Sequence, residues 1–225
     1  MNTQPIEKVV EQSRTIDVQG EPWLTIQGEG IFAGQRAVFI RLAGCTLNCE
    51  LCDSDYTSDR HDWDVGELFQ RVLDFNTKLV VITGGEPFRQ PIRTLTDLLL
   101  FKGRSVQIET NGGLYQELSY YHGKLYVICS PKSRYVNEKL LPFINAWKYV
   151  VQHGNMNERG LPISTLGRTD PVFQPPLHHP APIYVQPLDE KDLERNELNL
   201  QAAVQSVLDH DYILSIQTQK IAGLP

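Results

Sequence analysis

Cysteine is scarce in this chain: four in 225 residues, a poor basis for a disulfide framework. Long apolar runs are missing too, and none approaches the roughly 20 residues needed to cross a bilayer as a helix. Met1 to Val18 is polar, without the apolar core of a secretory signal. Positive charge is not in excess. A formal net charge of −6 argues against a broad nucleic-acid or anionic-membrane footprint, although local basic pockets remain open. Neither a low-complexity tract nor a sequence repeat is present. These absences lead to the expectation of a reducing, cytoplasmic compartment, with neither membrane nor nucleic acid as partner.

What is present is an ordinary globular composition, 41% hydrophobic and 21% charged, enough to bury one good core. The expected organisation is a single domain over 1–225 with a short N-terminal extension at about 1–20. Short runs rich in branched apolar residues recur at Ala37 to Leu42, Leu79 to Ile82, Ser105 to Ile108, Leu125 to Ile128, Trp147 to Val151, Ile183 to Val185 and Tyr212 to Ile216. Helical spacing is predicted between several of them, at Val65 to Phe75, Ile92 to Phe101 and Leu193 to Asp209. Near-continuous apolar strands separated by helices predict a parallel sheet covered by helices. Six or seven such units predict an α/β fold, a partial or modified (β/α) TIM-type barrel. Gly160 to Pro182 is proline-rich and reads as a long connection, its His178-His179 pair a surface feature rather than a metal site.

Polar, glycine-bearing segments follow the strands: Gly44 and the cysteines, Thr83-Gly84-Gly85-Glu86-Pro87, Glu109-Thr110-Asn111-Gly112, Ser130-Pro131-Lys132, Gln186-Pro187 and Gln217-Thr218-Gln219-Lys220. In a (β/α) barrel the carboxyl ends of the strands share one face, where active sites form. Cys45, Cys49 and Cys52, spaced Cys-x3-Cys-x2-Cys, offer three thiolates from one loop. A four-iron cluster held by three thiolates keeps one iron open to a non-protein ligand. Zinc would ask for a fourth Cys or His or an open water position, and no nearby His is well placed.

The cysteine spacing resembles the radical S-adenosylmethionine (SAM) superfamily, in which SAM chelates the open iron. Thr83 to Pro87 resembles that superfamily's glycine-rich turn for the SAM amino group; read without the resemblance, it is a strand-to-helix turn whose paired glycines permit close backbone approach. With Thr25-Ile26-Gln27-Gly28-Glu29-Gly30, Arg41, Ser130-Pro131-Lys132 and the tail from Gln217, the chain closely resembles the 7-carboxy-7-deazaguanine synthase family from about Glu21 to Pro225.

That resemblance implies conversion of 6-carboxy-5,6,7,8-tetrahydropterin to 7-carboxy-7-deazaguanine with release of ammonia, in 7-deazapurine (queuosine) biosynthesis. It implies a [4Fe-4S] cluster on Cys45, Cys49 and Cys52, and SAM bound by Leu51, Cys52, Asp53, Gly85, Ser130, Pro131 and Lys132. Ile26, Gln27, Gly28, Arg41, Thr83 and Pro225 would bind the pterin, and Ser54 would hold Mg2+ through its hydroxyl. An electron donor such as flavodoxin or ferredoxin and a homodimer are further implications. Alternatives stand beside three of these: Ser54 as a chain cap, Arg41 in an internal ion pair with Glu109, and Pro225 in a frayed tail. Three residues depart from the family pattern: Leu51 where an aromatic is common, Ser54 in place of threonine, and Gln219 where histidine is frequent. Glutamine both donates and accepts but cannot titrate near neutrality. The rival readings are a glycyl-radical activating enzyme and a non-enzymatic iron-sulfur or zinc module.

Overall fold

The computed structural model describes residues 2–119 and 123–224. Seven strands run parallel and lie side by side in chain order: β3 (Arg36–Leu42), β5 (Leu79–Gly84), β6 (Ser105–Thr110), β7 (Leu125–Cys129), β8 (Ile144–Val151), β9 (Ile183–Pro187) and β10 (Ile213–Leu214). The other edge of β3 carries two short antiparallel strands, β1 (Thr15–Gln19) and β2 (Trp23–Ile26), and β4 (Arg60–Asp64) pairs with β1. This is the expected partial barrel. Among the described residues its parallel strands do not close on themselves, since β10 pairs only with β9 and β3 only with β5, β1 and β2.

Strand periodicity decides what each face carries. Val38, Ile40 and Leu42 of β3, Val80 and Ile82 of β5, and Val106 and Ile108 of β6 face the helices and join one large core. There they meet Leu68 and Val72 of α1 (Val65–Leu73) and Leu95 and Leu99 of α2 (Arg93–Phe101). Full burial of each such side chain contributes roughly 1.5–3 kcal/mol. The alternate positions face the barrel interior. Toward the amino ends of the strands they are apolar, with Ala37, Leu79 and Val81 forming a small cluster under Phe32 and Phe39. Toward the carboxyl ends the same rows become Arg41, Thr83 and Glu109, and the floor of a site is set.

The expected elements appear with shifted ends. The α1 helix stops at Leu73, and the chain takes a left-handed conformation at Asn76 (φ 44°). The last strand shrinks to Ile213–Leu214. Asp64 caps α1 by accepting from the backbone N–H of Gly66 and Glu67, and Asp192 caps α3 (Leu193–His210) by accepting from Arg195. Residues 152–182 contain no helix or strand beyond one isolated bridge, Met156 to Pro162. That connection is nevertheless pinned down: the Thr165 hydroxyl donates to the Val150 carbonyl (2.9 Å) and the Ser206 hydroxyl to the Gly160 carbonyl (2.6 Å). His179 accepts from the Trp147 indole (3.1 Å) and contacts the Leu141 carbonyl (3.0 Å), so it is a packing residue of this connection.

Residues 2–19 belong to the body of the fold. Beyond β1, Ile6 forms a parallel bridge with Cys45.

Candidate active site

The strand ends surround a cavity of about 370 Å³, walled by the cysteine loop on one side and by the loop after β2 and the C-terminal tail on the other. The cysteine loop is built tightly. A side chain on Gly85 would strike the Gly44 carbonyl at 2.0 Å, and one on Gly84 (φ 126°) would strike the Leu42 backbone at 2.2 Å. The paired glycines therefore let the end of β5 lie against the backbone that launches the cysteine loop. Glu86 is wholly buried and accepts from Phe88 N–H, Asn111 N–H (2.8 Å) and the Thr110 hydroxyl (2.7 Å), tying the end of β5 to that of β6. Burial pushes its carboxyl above the ordinary range.

The N-terminal segment clamps this loop from outside. Asn2 donates to the backbone carbonyls of Glu50 and Cys49, Gln4 donates to the Ser54 carbonyl and accepts from Tyr56 N–H, and Glu7 N–H donates to the Cys45 carbonyl. Arg89 sits buried beneath, donating to the Ala43 carbonyl (2.9 Å) and pairing with Glu7 (3.3 Å).

Cys45, Cys49 and Cys52 all reach the cavity. Burial pushes Cys45 up to about 12 and raises Cys49 and Cys52 as well. Two buried thiols and the half-buried Cys52 favour their neutral form until a cation arrives; a metal core supplies that charge and deprotonates them. Among the described residues no three His, Cys, Asp or Glu side chains converge on a position for a single metal ion. A cluster asks for something else, since each thiolate takes its own iron. The donor set fits a cluster better than zinc.

The opposite wall is already neutralised. Glu29, in the loop after β2, pairs with Lys148 of β8 (2.5 Å) and accepts from the side-chain amides of Gln217 (2.8 Å) and Gln219 (3.0 Å). Burial opposes its charge, but Lys148 and the two amides win, and Glu29 falls to about 2. Lys148 also faces Glu109 (3.7 Å), and against the cost of burial the two carboxylates keep it protonated well above its ordinary value. Glu109 in turn accepts from Gln27, Gln107 and Thr83. The same wall closes the open barrel: Thr218 donates to the Gly28 carbonyl through N–H and hydroxyl, and Gly30 N–H reaches Ser215. Gly28 suits that approach, because a side chain would meet the Gln219 backbone nitrogen at 2.7 Å.

Arg41 stands apart. It makes no ion pair or hydrogen bond among the described residues, its Nε is buried without a partner, and its guanidinium lies 5.0 Å from the Trp23 ring. The alternative pairing with Glu109 does not form, since Glu109 is engaged by Lys148. Burial lowers the Arg41 pKa, with Asp53 and Asp55 opposing. An unpaired guanidinium on a cavity wall is a receptor for an anion, and a carboxylate matches its fork. Four further buried polar atoms on cavity-lining residues also lack partners: Trp23 Nε1, Asn111 Nδ2, Gln186 Oε1 and Gln219 Oε1. A polar ligand with donors and acceptors on its edge would satisfy them.

Of the residues expected from sequence, Ile26, Gln27, Gly28, Arg41, Thr83, Leu51, Asp53, Ser54, Gly85, Ser130 and Lys132 line this cavity with the three cysteines. Pro131 is buried but does not face it. Ser54 lies in a loop with no helix following, so the capping alternative falls away. Pro225 lies outside the described residues, while its neighbour Leu224 reaches the cavity and donates to the Gln219 carbonyl.

No family model matches the chain. Among curated proteins, the 7-carboxy-7-deazaguanine synthase of Rhodospirillum rubrum is 41% identical over 217 residues, covering 89% of each chain. That of Rickettsia prowazekii is 38% identical over 213 residues, 89% of this chain and 85% of its own. The chain belongs to the 7-carboxy-7-deazaguanine synthase family. Among solved structures, the crystal structure of QueE from Escherichia coli shares the fold with a TM-score of 0.68 at 24% identity, covering 90% of this chain and 94% of that one. Membership sets aside the glycyl-radical activating and non-enzymatic readings. Among the described residues no helix is long and apolar enough to cross a membrane.

Within that family frame, two site residues escaped the sequence reading. Lys148 was hidden inside a strand, although a lone lysine in Ile-Asn-Ala-Trp-Lys-Tyr-Val-Val is a detectable signal. Glu29 was visible in its motif but carried no role, because its partners arrive from β8 and from the tail.

Proposed function

We propose that this chain carries out the 7-carboxy-7-deazaguanine synthase reaction of queuosine biosynthesis on 6-carboxy-5,6,7,8-tetrahydropterin, releasing ammonia. The observation that carries the substrate assignment is the unpaired Arg41, a carboxylate receptor facing the same cavity as three clustered thiols. Cys45, Cys49 and Cys52 would hold a [4Fe-4S] cluster, with Leu51, Cys52, Asp53, Gly85, Ser130 and Lys132 around SAM and Pro131 buried between the last two. When bound, cluster and SAM together supply one-electron radical chemistry.

The chain's own residues bind, orient and exclude water. Arg41 takes the substrate carboxylate with Trp23 against its guanidinium, which fixes the plane of the fork. Gln27 and Thr83 are oriented by Glu109, Gly28 brings backbone close, and Ile26 adds apolar surface. Pro225, outside the described residues, completes the proposed pterin-binding set. Ser54 would offer Mg2+ a hard oxygen, and its hydroxyl has no hydrogen-bond partner among the described residues. The tail seals the gap in the barrel and keeps water from the site. A flavodoxin- or ferredoxin-class donor would deliver the electron, and a homodimer is the expected assembly.

The test is an anaerobic assay of protein reconstituted with iron and sulfide, given SAM, reductant, Mg2+ and the carboxytetrahydropterin, with products read by mass spectrometry. Wild type is expected to form 7-carboxy-7-deazaguanine, and Cys49→Ala to form none while losing most of its iron. Formation of 5′-deoxyadenosine without that product would sink the substrate assignment and leave the SAM site standing.

A further inference from the structure

One side chain, Asp53, ties the cysteine loop to the C-terminal tail. Among the described residues the Asp53 carboxylate accepts only from the side chains of Gln217 (3.2 Å) and Lys220 (3.3 Å), which follow it by 164 and 167 positions. Lys220 also pairs with Asp189 (2.9 Å), just beyond β9. Asp189 is itself held in place, since it accepts from Lys191 N–H (3.0 Å) and from the Asn196 amide of α3 (2.9 Å). Gln217 divides its amide between Asp53 and Glu29 (2.8 Å). The tail therefore suspends the Asp53 carboxylate between the body of the fold and the Glu29 wall. Asp53, Asp189, Gln217 and Lys220 all line the cavity. Exposed ion pairs of this kind contribute little to stability. Their consequence is orientation: a carboxylate whose side chain is 52% exposed would otherwise sample several rotamers.

We propose that Lys220 is a positioning residue for SAM that acts through Asp53, and that it thereby links SAM affinity to the wall that takes the substrate. This rests on the proposed placing of Asp53 beside SAM and of the tail beside the pterin. Lysine suits the role because its ammonium carries three donors on a flexible stem and can bridge two carboxylates from separate segments. The same tail carries Gln219, whose buried Oε1 lacks a partner, and Leu224, both lining the cavity. A substrate seated against the tail holds it in place, and the tail so held presents Asp53. By linkage, the factor that the substrate adds to SAM affinity is the factor that SAM adds to substrate affinity.

The test is anaerobic calorimetry of SAM binding to protein with a reconstituted cluster, without reductant so that no turnover occurs, in the absence and presence of the carboxytetrahydropterin. Wild type, Lys220→Met, Asp53→Asn and the double variant form a cycle, and Lys220→Arg is the conservative control. Iron content and denaturant unfolding are measured on each. Lys220→Met is expected to keep its iron and its unfolding midpoint and to weaken SAM about fivefold, and Lys220→Arg to recover most of that affinity. In the Asp53→Asn background, Lys220→Met should weaken SAM by less than about twofold further, because residues in contact are not additive. The pterin should tighten SAM about fivefold in wild type and leave it unchanged in Lys220→Met. Unchanged SAM affinity in Lys220→Met would overturn the proposal. So would an equal loss in both backgrounds, which would give Lys220 a contact of its own, and so would a wild type whose SAM affinity ignores the pterin. If wild type itself loads no four-iron cluster or binds no SAM, the functional assignment fails first and is recognised by that result alone.

Discussion

The two walls of the cavity treat charge in opposite ways. On the cysteine side, burial dominates and pushes Cys45 up to about 12, so the thiols await an outside cation. On the Glu29 side, Lys148 and two glutamine amides overcome the same burial penalty and pull a carboxylate down to about 2. One wall pairs its carboxylate within the chain; the other leaves three thiols without a cation. A cavity built this way has the Glu29 wall paired before anything binds, while the cysteine wall is held by an external clamp, the N-terminal segment.

The comparison breaks most severely at Lys148. Lys148→Met should leave the buried Glu29 and the half-buried Glu109 without their cation, at a cost of about 3–5 kcal/mol, read by denaturant unfolding of the apoprotein. The pH dependence should change sign as well. In wild type, Glu29 lies below its ordinary value, so its stabilisation is full above the ordinary glutamate range and is lost as pH falls toward about 2. Without Lys148, burial raises Glu29, and stability should instead fall as pH rises through the raised value. An unfolding profile with unchanged slope in the variant would contradict this account of the wall.

Arg41→Gln sharpens the comparison at a cation that has no ion pair or hydrogen bond among the described residues. Loss of a charge-assisted contact of about 1.5–3 kcal/mol should raise KM for the carboxytetrahydropterin by roughly 10- to 100-fold, with SAM affinity unchanged by calorimetry. A comparable loss of SAM affinity would move Arg41 to the cofactor side.

The smallest effect is expected at the clamp. Gln4→Ala removes contacts to the Ser54 carbonyl and Tyr56 N–H, at roughly 0.5–1.5 kcal/mol each. Iron retention on dilution under anaerobic conditions should fall while the unfolding of the substrate wall barely changes. Equal iron retention in variant and wild type would mean that the cysteine loop holds its shape without the clamp.

How legible each part was follows from the range of its interactions. The parallel strands could be read because each is a continuous apolar run, and the cysteine loop because its ligands sit within eight residues of one another. The antiparallel β4, Arg-His-Asp-Trp-Asp, carries no apolar alternation and becomes a strand only through β1. Glu86 stands in the Thr83 to Pro87 turn, and only the nearness of Thr110 and Asn111 shows what its carboxylate holds.

The sequence by itself determined the barrel's parallel core, the three-thiolate loop and the family, because these are written in local spacing and in strand periodicity. Only the tertiary structure decided which charges are free. Arg41 is available because Lys148, 107 positions later in the chain, already holds Glu109. Glu29 is fixed because the tail folds back onto Gly28. Charge pairing in a buried site depends on distance in space, and no local pattern in the chain encodes that distance.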